Sequence, residues 1–123
     1  MPQSKAVRWY TKAAEQGNVM AQSKLGFMHH SGQGVPQNFK EALRWFTKAA
    51  KQGNAMAQSN TGVMHRDGQG VPQNFKEALR WFTKAAEQGH AGAQSNLGVV
   101  HQVGQGVPQN FKEALRWYTK AAE

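Results

Sequence analysis

Cysteine is absent from the 123-residue chain. Disulfides, thiolate metal sites and cysteine nucleophiles are thereby excluded. No apolar run approaches the roughly 20 residues that span a bilayer. The opening stretch, MPQSKAVRWY, lacks an apolar core and does not read as a signal peptide. No Asn-x-Ser/Thr sequon is present. Acidic residues are scarce: seven Asp and Glu stand against fifteen Lys and Arg, a formal charge of +8, and Asp67 is the only aspartate. Such a balance favours acidic partners in general, whether protein, nucleic acid or anionic lipid, without choosing among them. It also leaves no paired carboxylates for acid–base work. Glu41, Glu77 and Glu113 read as helix-start and helix-surface charges, and the spacing implies no Ser-His-Asp arrangement. The chain is expected to be non-enzymatic and to need no cofactor.

What is present is repetition. GQGVPQNFKEALRW occurs three times unchanged, at Gly32–Trp45, Gly68–Trp81 and Gly104–Trp117. TKAA occurs four times, and Trp9, Trp45, Trp81 and Trp117 keep the same 36-residue step. Fixed-period self-similarity decides architecture before anything else does. The expected organisation is one domain over 1–123: a half repeat 1–20, repeats 21–56 and 57–92, and a truncated repeat 93–123.

Within a unit, Asn38–Gly53 placed at about 100° per residue gathers Phe39, Leu43, Phe46 and Ala50 on one stripe. Ala42, Ala49 and Trp45 widen that stripe, and Lys40, Arg44 and Lys48 fall opposite it, as in an amphipathic helix. Asn38 is a good N-cap, and Glu41 three residues later suggests a capping box. Gly53 can supply the left-handed residue that closes the helix. Asn54–Gly68 reads as a second helix with Gly62 in its interior. Gly there costs roughly 1 kcal/mol relative to Ala, so close approach of a neighbouring helix is the expected return, and Gly26 and Gly98 repeat the pattern. GQGVPQ between the helices reads as a rigid turn, since Pro36 cannot continue a helix; it does not complete a phosphate-binding GxGxxG. Seven helices are predicted: roughly 3–16, 19–30, 38–52, 55–66, 74–88, 91–102 and 110–122. Each unit is an αα-hairpin that cannot bury its apolar stripe alone, so the fold class is all-α, a solenoid of stacked antiparallel hairpins.

The string Ala-x-x-x-Leu-Gly-x-x-x-x-x-Gly-x-Gly-Val, followed by Lys-x-Ala-x-x-Trp-Phe/Tyr-x-Lys-Ala-Ala-x-Gln-Gly, resembles the Sel-one-like repeat (SLR) family, relatives of tetratricopeptide repeats. The resemblance covers essentially the whole chain. It implies a right-handed α-solenoid that scaffolds protein–protein interactions, often in bacterial envelope, secreted or host-interaction proteins. There are departures. His29, His65 and His101 stand where the family usually has Tyr, and Thr61 replaces a Leu. The cysteine-rich branch staples its hairpins with disulfides, which this chain cannot do, so functions tied to that branch do not carry over.

The three periodic histidines invite a metal. Packed helix axes are roughly 8–10 Å apart and zinc–nitrogen bonds about 2 Å, so one ion cannot bridge equivalent positions two helices apart. A packed, hydrogen-bonded histidine in the place of Tyr is the expected role, and no metal site is predicted. Trp45 and its equivalents are expected to pack under the Gly-rich turn.

Variation among the copies concentrates in the first helix of each unit, which lines the concave surface in tetratricopeptide-type solenoids. The register puts Met20, Ser23, Phe27, His30 and Ser31 in that groove. Met56, Ser59, Val63, Arg66 and Asp67 follow from the second unit. Gly92, Ser95, Val99, Gln102 and Val103 follow from the third. The expected partner is a peptide or protein segment held by Met20, Phe27, Met56, Val63 and Val99, with Arg66 and Asp67 setting polarity. Three units span about 30 Å, enough for roughly nine extended residues. The alternative partner is nucleic acid or an anionic membrane, met by three basic rows on the opposite face: Lys40, Arg44 and Lys48; Lys76, Arg80 and Lys84; Lys112, Arg116 and Lys120. Finally, the first and last helices lack one neighbour each. Their apolar residues should be exposed, and a homo-oligomer through these uncapped ends is expected.

Overall fold

A computed structural model describes residues 3–123; the first two residues of the expected half repeat 1–20 lie outside the described residues. The described chain forms seven helices: α1 (Lys5–Glu15), α2 (Val19–Ser31), α3 (Phe39–Lys51), α4 (Ala55–Asp67), α5 (Phe75–Glu87), α6 (Ala91–Val103) and α7 (Phe111–Ala122). All seven predicted helices are found, with no end shifted by more than two residues. Packing is densest within the hairpins α2/α3, α4/α5 and α6/α7, and each hairpin then stacks on the next through α1/α2, α3/α4 and α5/α6. The molecule is thus a helical solenoid with α2, α4 and α6 in one row and the odd-numbered helices in the other.

Local chemistry explains the boundaries. Asn38, Asn74 and Asn110 cap α3, α5 and α7, each side-chain oxygen accepting from the N–H three residues on. The reciprocal half of the expected capping box does not form. The Glu41 carboxylate turns to Arg44 Nη1 at 2.9 Å instead, and the Asn38 N–H donates to the carbonyl of His29. A charged partner one turn away outcompetes a backbone N–H that already has an acceptor. His90 replaces the Asn of the other units as cap of α6, its Nδ1 accepting from Ala93 N–H at 3.1 Å. Inside the repeated block, Gln37, Gln73 and Gln109 each donate to a carbonyl in the last turn of the preceding helix, on His30, Arg66 and Gln102. The turn is verbatim because its side chains terminate one helix and start the next.

The helix glycines allow the close packing expected of them. A Cβ on Gly26 would lie 2.7 Å from the Phe46 ring, and one on Gly62 would lie 2.7 Å from Phe82. The core therefore runs through Phe46, Phe82, Leu25, Met64 and Leu97, all nearly or fully buried. Trp45 is buried with Val7, Leu25, Met28 and the turn residue Val35, which is the predicted seat under the turn.

Hairpins are also tied by a ladder of buried glutamines. Gln22, Gln58 and Gln94 donate across the junction to the carbonyls of Ala14, Ala50 and Ala86, and the first two accept from Gln52 and Gln88 at the end of their own hairpin at 2.8 Å. Each buried amide thus finds a partner across a hairpin junction, as a buried polar group requires.

Candidate functional site: the α2–α4–α6 face

The variable helices present an uneven apolar surface. Met20, Phe27 and Met56 are 70%, 46% and 48% exposed. Val99 and Val103 are also exposed, and Val63 is half-buried. The exposed side chains enclose two hollows between α2 and α4. One, of about 290 Å³, is lined by Met20, Ser23, Lys24, Phe27, Met56 and Asn60. The other, of about 170 Å³, is lined by Phe27, His30, Phe46, Asn60, Val63 and Met64.

Not every residue expected in the groove is free to act there. Ser23 and Ser59 are buried, at 1% and 6% exposure. Their column sits at the seam between hairpins, and Ser23 Oγ lies 3.3 Å from Oδ1 of Asn54, the cap of the next helix. Ser23 is floor, whereas Ser95, with no hairpin stacked on it, is exposed. His30 is engaged by Gln69 Oε1 at 3.0 Å and by the Phe39 ring at 5.1 Å. Ser31 Oγ donates back to the Phe27 carbonyl, and Gln102 accepts from the Tyr118 hydroxyl at 2.7 Å. Arg66 and Asp67 form an ion pair with each other at 2.9 Å. Arg66 also reaches Asn96 Oδ1 at 3.3 Å and lies over the Phe82 ring. The pair largely cancels its own charge, contrary to its expected role in setting polarity. Gly92, at the position of Met20 and Met56, offers no anchor.

Sequence reasoning missed Lys24 and Asn60. They occupy one column, three residues before Phe27 and Val63, and the column varies: Lys24, Asn60, Asn96. That variation was a legible signal. Lys24 is exposed, and its Nζ stands 5.8 Å from the Phe27 ring.

On the opposite face the arginines of the basic rows are already engaged. Arg44, Arg80 and Arg116 pair with Glu41, Glu77 and Glu113 at 2.6–2.9 Å and stack over Trp45, Trp81 and Trp117 at 4.5–5.1 Å. Lys48, Lys84 and Lys120 flank the same rings. Lys40, Lys76 and Lys112 are exposed. Cations held against the ring faces cover the edge of the core as much as they project charge.

His29 and His65 are packed as expected but are not hydrogen-bonded through Nδ1, which is buried without a partner in both. Burial lowers the pKa of both rings, Glu41 and Glu77 opposing it in turn, so neutral imidazoles fill the place of a phenol. Among the described residues no three His, Asp or Glu side chains come together as a metal site. No described helix is long and apolar enough to cross a membrane.

The first and last helices of the chain expose what the helices between them bury. Trp9 is 67% exposed while Trp45 and Trp81 are 3%, and Phe111 and Leu115 are each 66% exposed.

The periodicity and the hairpin geometry agree with known proteins. The Sel1 repeat model matches residues 3–18, 19–54, 55–90 and 91–123. A crystal structure of c5321, a protective antigen of uropathogenic Escherichia coli strains displaying an SLR fold, is 42% identical with a TM-score of 0.91, covering 94% of this chain and 25% of that one. A Sel1 repeat protein from Oxalobacter formigenes is 39% identical with a TM-score of 0.82, covering 85% of this chain and 43% of that one. Helicobacter pylori cysteine rich protein B shares the fold at 22% identity and a TM-score of 0.73, covering 96% of this chain and 84% of that one. No curated protein matches. The chain therefore spans a quarter to under half of the two proteins it most resembles in sequence among these three. Sel1 repeat proteins are generally non-enzymatic scaffolds for protein–protein interaction. With its repeats matched from residue 3 to residue 123, the chain belongs to the Sel1 repeat family.

Proposed function

We propose that the chain is an interaction module that binds an apolar protein segment on its α2–α4–α6 face. The observation that carries this reading is the pair of hollows framed by exposed Met20, Phe27 and Met56. Helices that must present a soluble surface spend apolar side chains there at a cost, and grouped exposure of this kind marks interaction surfaces. The engagement of every row arginine by a glutamate and a tryptophan counts against the basic face as the main binding surface.

The test is direct. Binding peptides are selected from a displayed random library and measured against variants checked for helicity. Phe27→Ala with Val63→Ala should weaken them at least about tenfold, roughly 1.4 kcal/mol or more. Charge reversal at Arg80 and Arg116, or a rise in salt, should change little. Binding to DNA, RNA or anionic vesicles that falls steeply with salt and disappears on that reversal would favour the basic rows instead.

A second copy of the chain is a further partner of the same class. Trp9 at one end and Phe111 with Leu115 at the other supply the apolar surface. Light scattering should show concentration-dependent association that Trp9→Lys reduces; a strict monomer at high concentration would remove this partner.

A further inference from the structure

The two hollows follow one another along the crease between α2 and α4. Phe27 and Asn60 line both and form the saddle between them. The α2 residues of the first hollow precede those of the second by about five residues on average, roughly 7.5 Å along the axis. In an extended segment, side chains two residues apart point the same way at about 6.8 Å spacing. One such pair therefore fits the two hollows when the segment runs along α2 rather than across the units.

The saddle has matching chemistry. Among the described residues the Asn60 amide forms no side-chain hydrogen bond. A free primary amide offers a donor and an acceptor together, the complement of one peptide unit. Charge orients the arrangement. Lys24 stands at the rim of the first hollow and forms no ion pair among the described residues, and α2 carries no acidic residue. Arg66 is held by Asp67 and Asn96, and α6 has no Lys, Arg, Asp or Glu. Uncompensated positive charge on this face is concentrated at the Met20–Lys24 end.

Resting on the interaction reading above, we infer that the α2/α4 crease takes an extended protein segment of the form apolar–x–apolar. The segment's middle peptide unit is held by Asn60, and an acidic side chain lies at the Lys24 end. Its two apolar side chains enter the hollows on either side of Phe27.

The experiment uses random heptapeptides displayed between flanking linkers, so that no terminal carboxylate is available. Selection on the unaltered chain should enrich two apolar residues spaced by one, with Asp or Glu to one side. Lys24→Glu should turn the flanking preference to Lys or Arg and weaken the original peptides about tenfold or more, as loss of a charge-assisted contact does. Asn60→Leu should weaken them similarly and leave the charge preference intact. Lys48→Glu, on the other face, should do neither. Peptides lost on Phe27→Ala but indifferent to Lys24→Glu and Asn60→Leu would overturn this inference and leave the interaction reading standing. Peptides indifferent to Phe27→Ala, or no enriched peptide at all, would overturn both.

Discussion

The creases α2/α4 and α4/α6 are built on nearly the same backbone and filled differently. In the first, Met20 and Met56 stand opposite one another, Phe27 divides the floor and His30 turns aside to Gln69. In the second, Gly92 replaces Met56, Val63 stands where the first has the bulkier Phe27, and Arg66 crosses from α4 to Asn96 above the Phe82 ring. One crease is an apolar trough and the other is strapped by a guanidinium. The repeated hairpin decides where a crease lies. Three or four side chains on its walls decide whether it is open.

The largest effect should come from what the two creases share. Phe46 beneath the first and Phe82 beneath the second are 2% and 0% exposed, each against a helix glycine. Phe46→Ala and Phe82→Ala should each cost about 3–5 kcal/mol. Urea unfolding should find similar losses for the two, and a large inequality would show that the creases differ in scaffold as well as in walls.

Gly62→Ala comes next. The added methyl would lie 2.7 Å from the Phe82 ring and 3.2 Å from the Ala78 carbonyl. Overpacking of this kind costs about 1–3 kcal/mol, enough to exceed the roughly 1 kcal/mol gained in helix propensity. The melting temperature should fall; a rise would mean that the helices can separate without loss.

A smaller effect is expected from pH. Burial holds the folded pKa of His29 and His65 below the ordinary histidine value, against the pull of Glu41 and Glu77. On acidification the unfolded chain takes up these protons first, so stability is fully present above about pH 6.5 and is lost as pH falls through the folded values. His29→Gln with His65→Gln should flatten the dependence of the urea midpoint between about pH 7.5 and 5. An unchanged slope would assign it to other groups.

The smallest effect should come from unstrapping the second crease. The Arg66–Asp67 pair is partly exposed, so Arg66→Ala should cost no more than about 1 kcal/mol. The same variant should open the α4/α6 crease, read as increased uptake of an apolar dye relative to the unaltered chain.

Much of this was legible beforehand because it is local. The 36-residue period, the cap at Asn38, the close approach at Gly26 and Gly62 and the seat of Trp45 follow from a helix's own geometry and a turn's own residues. The site was legible only in part. Column variation marked Met20, Phe27 and Met56, but helical angle alone cannot distinguish a wall from a seam. Ser23 and Ser59 point the same way as groove residues and are buried, Ser23 against the Asn54 cap of the next hairpin. Lys24 and Asn60 were overlooked because they point between faces, at an angle that becomes surface only once α2 and α4 are set side by side.

The amino-acid sequence by itself determined seven helices, their pairing into hairpins and the need to stack them. Each of these follows from i to i+4 relations, from turn chemistry, and from an apolar stripe that one hairpin cannot bury. The tertiary structure alone decided that Gln22 and Gln58 accept from Gln52 and Gln88, that Arg66 reaches across to Asn96, and that the open trough lies between α2 and α4. These outcomes depend on distances between residues about 30 or more apart in the chain, and such distances exist only after the hairpins have packed.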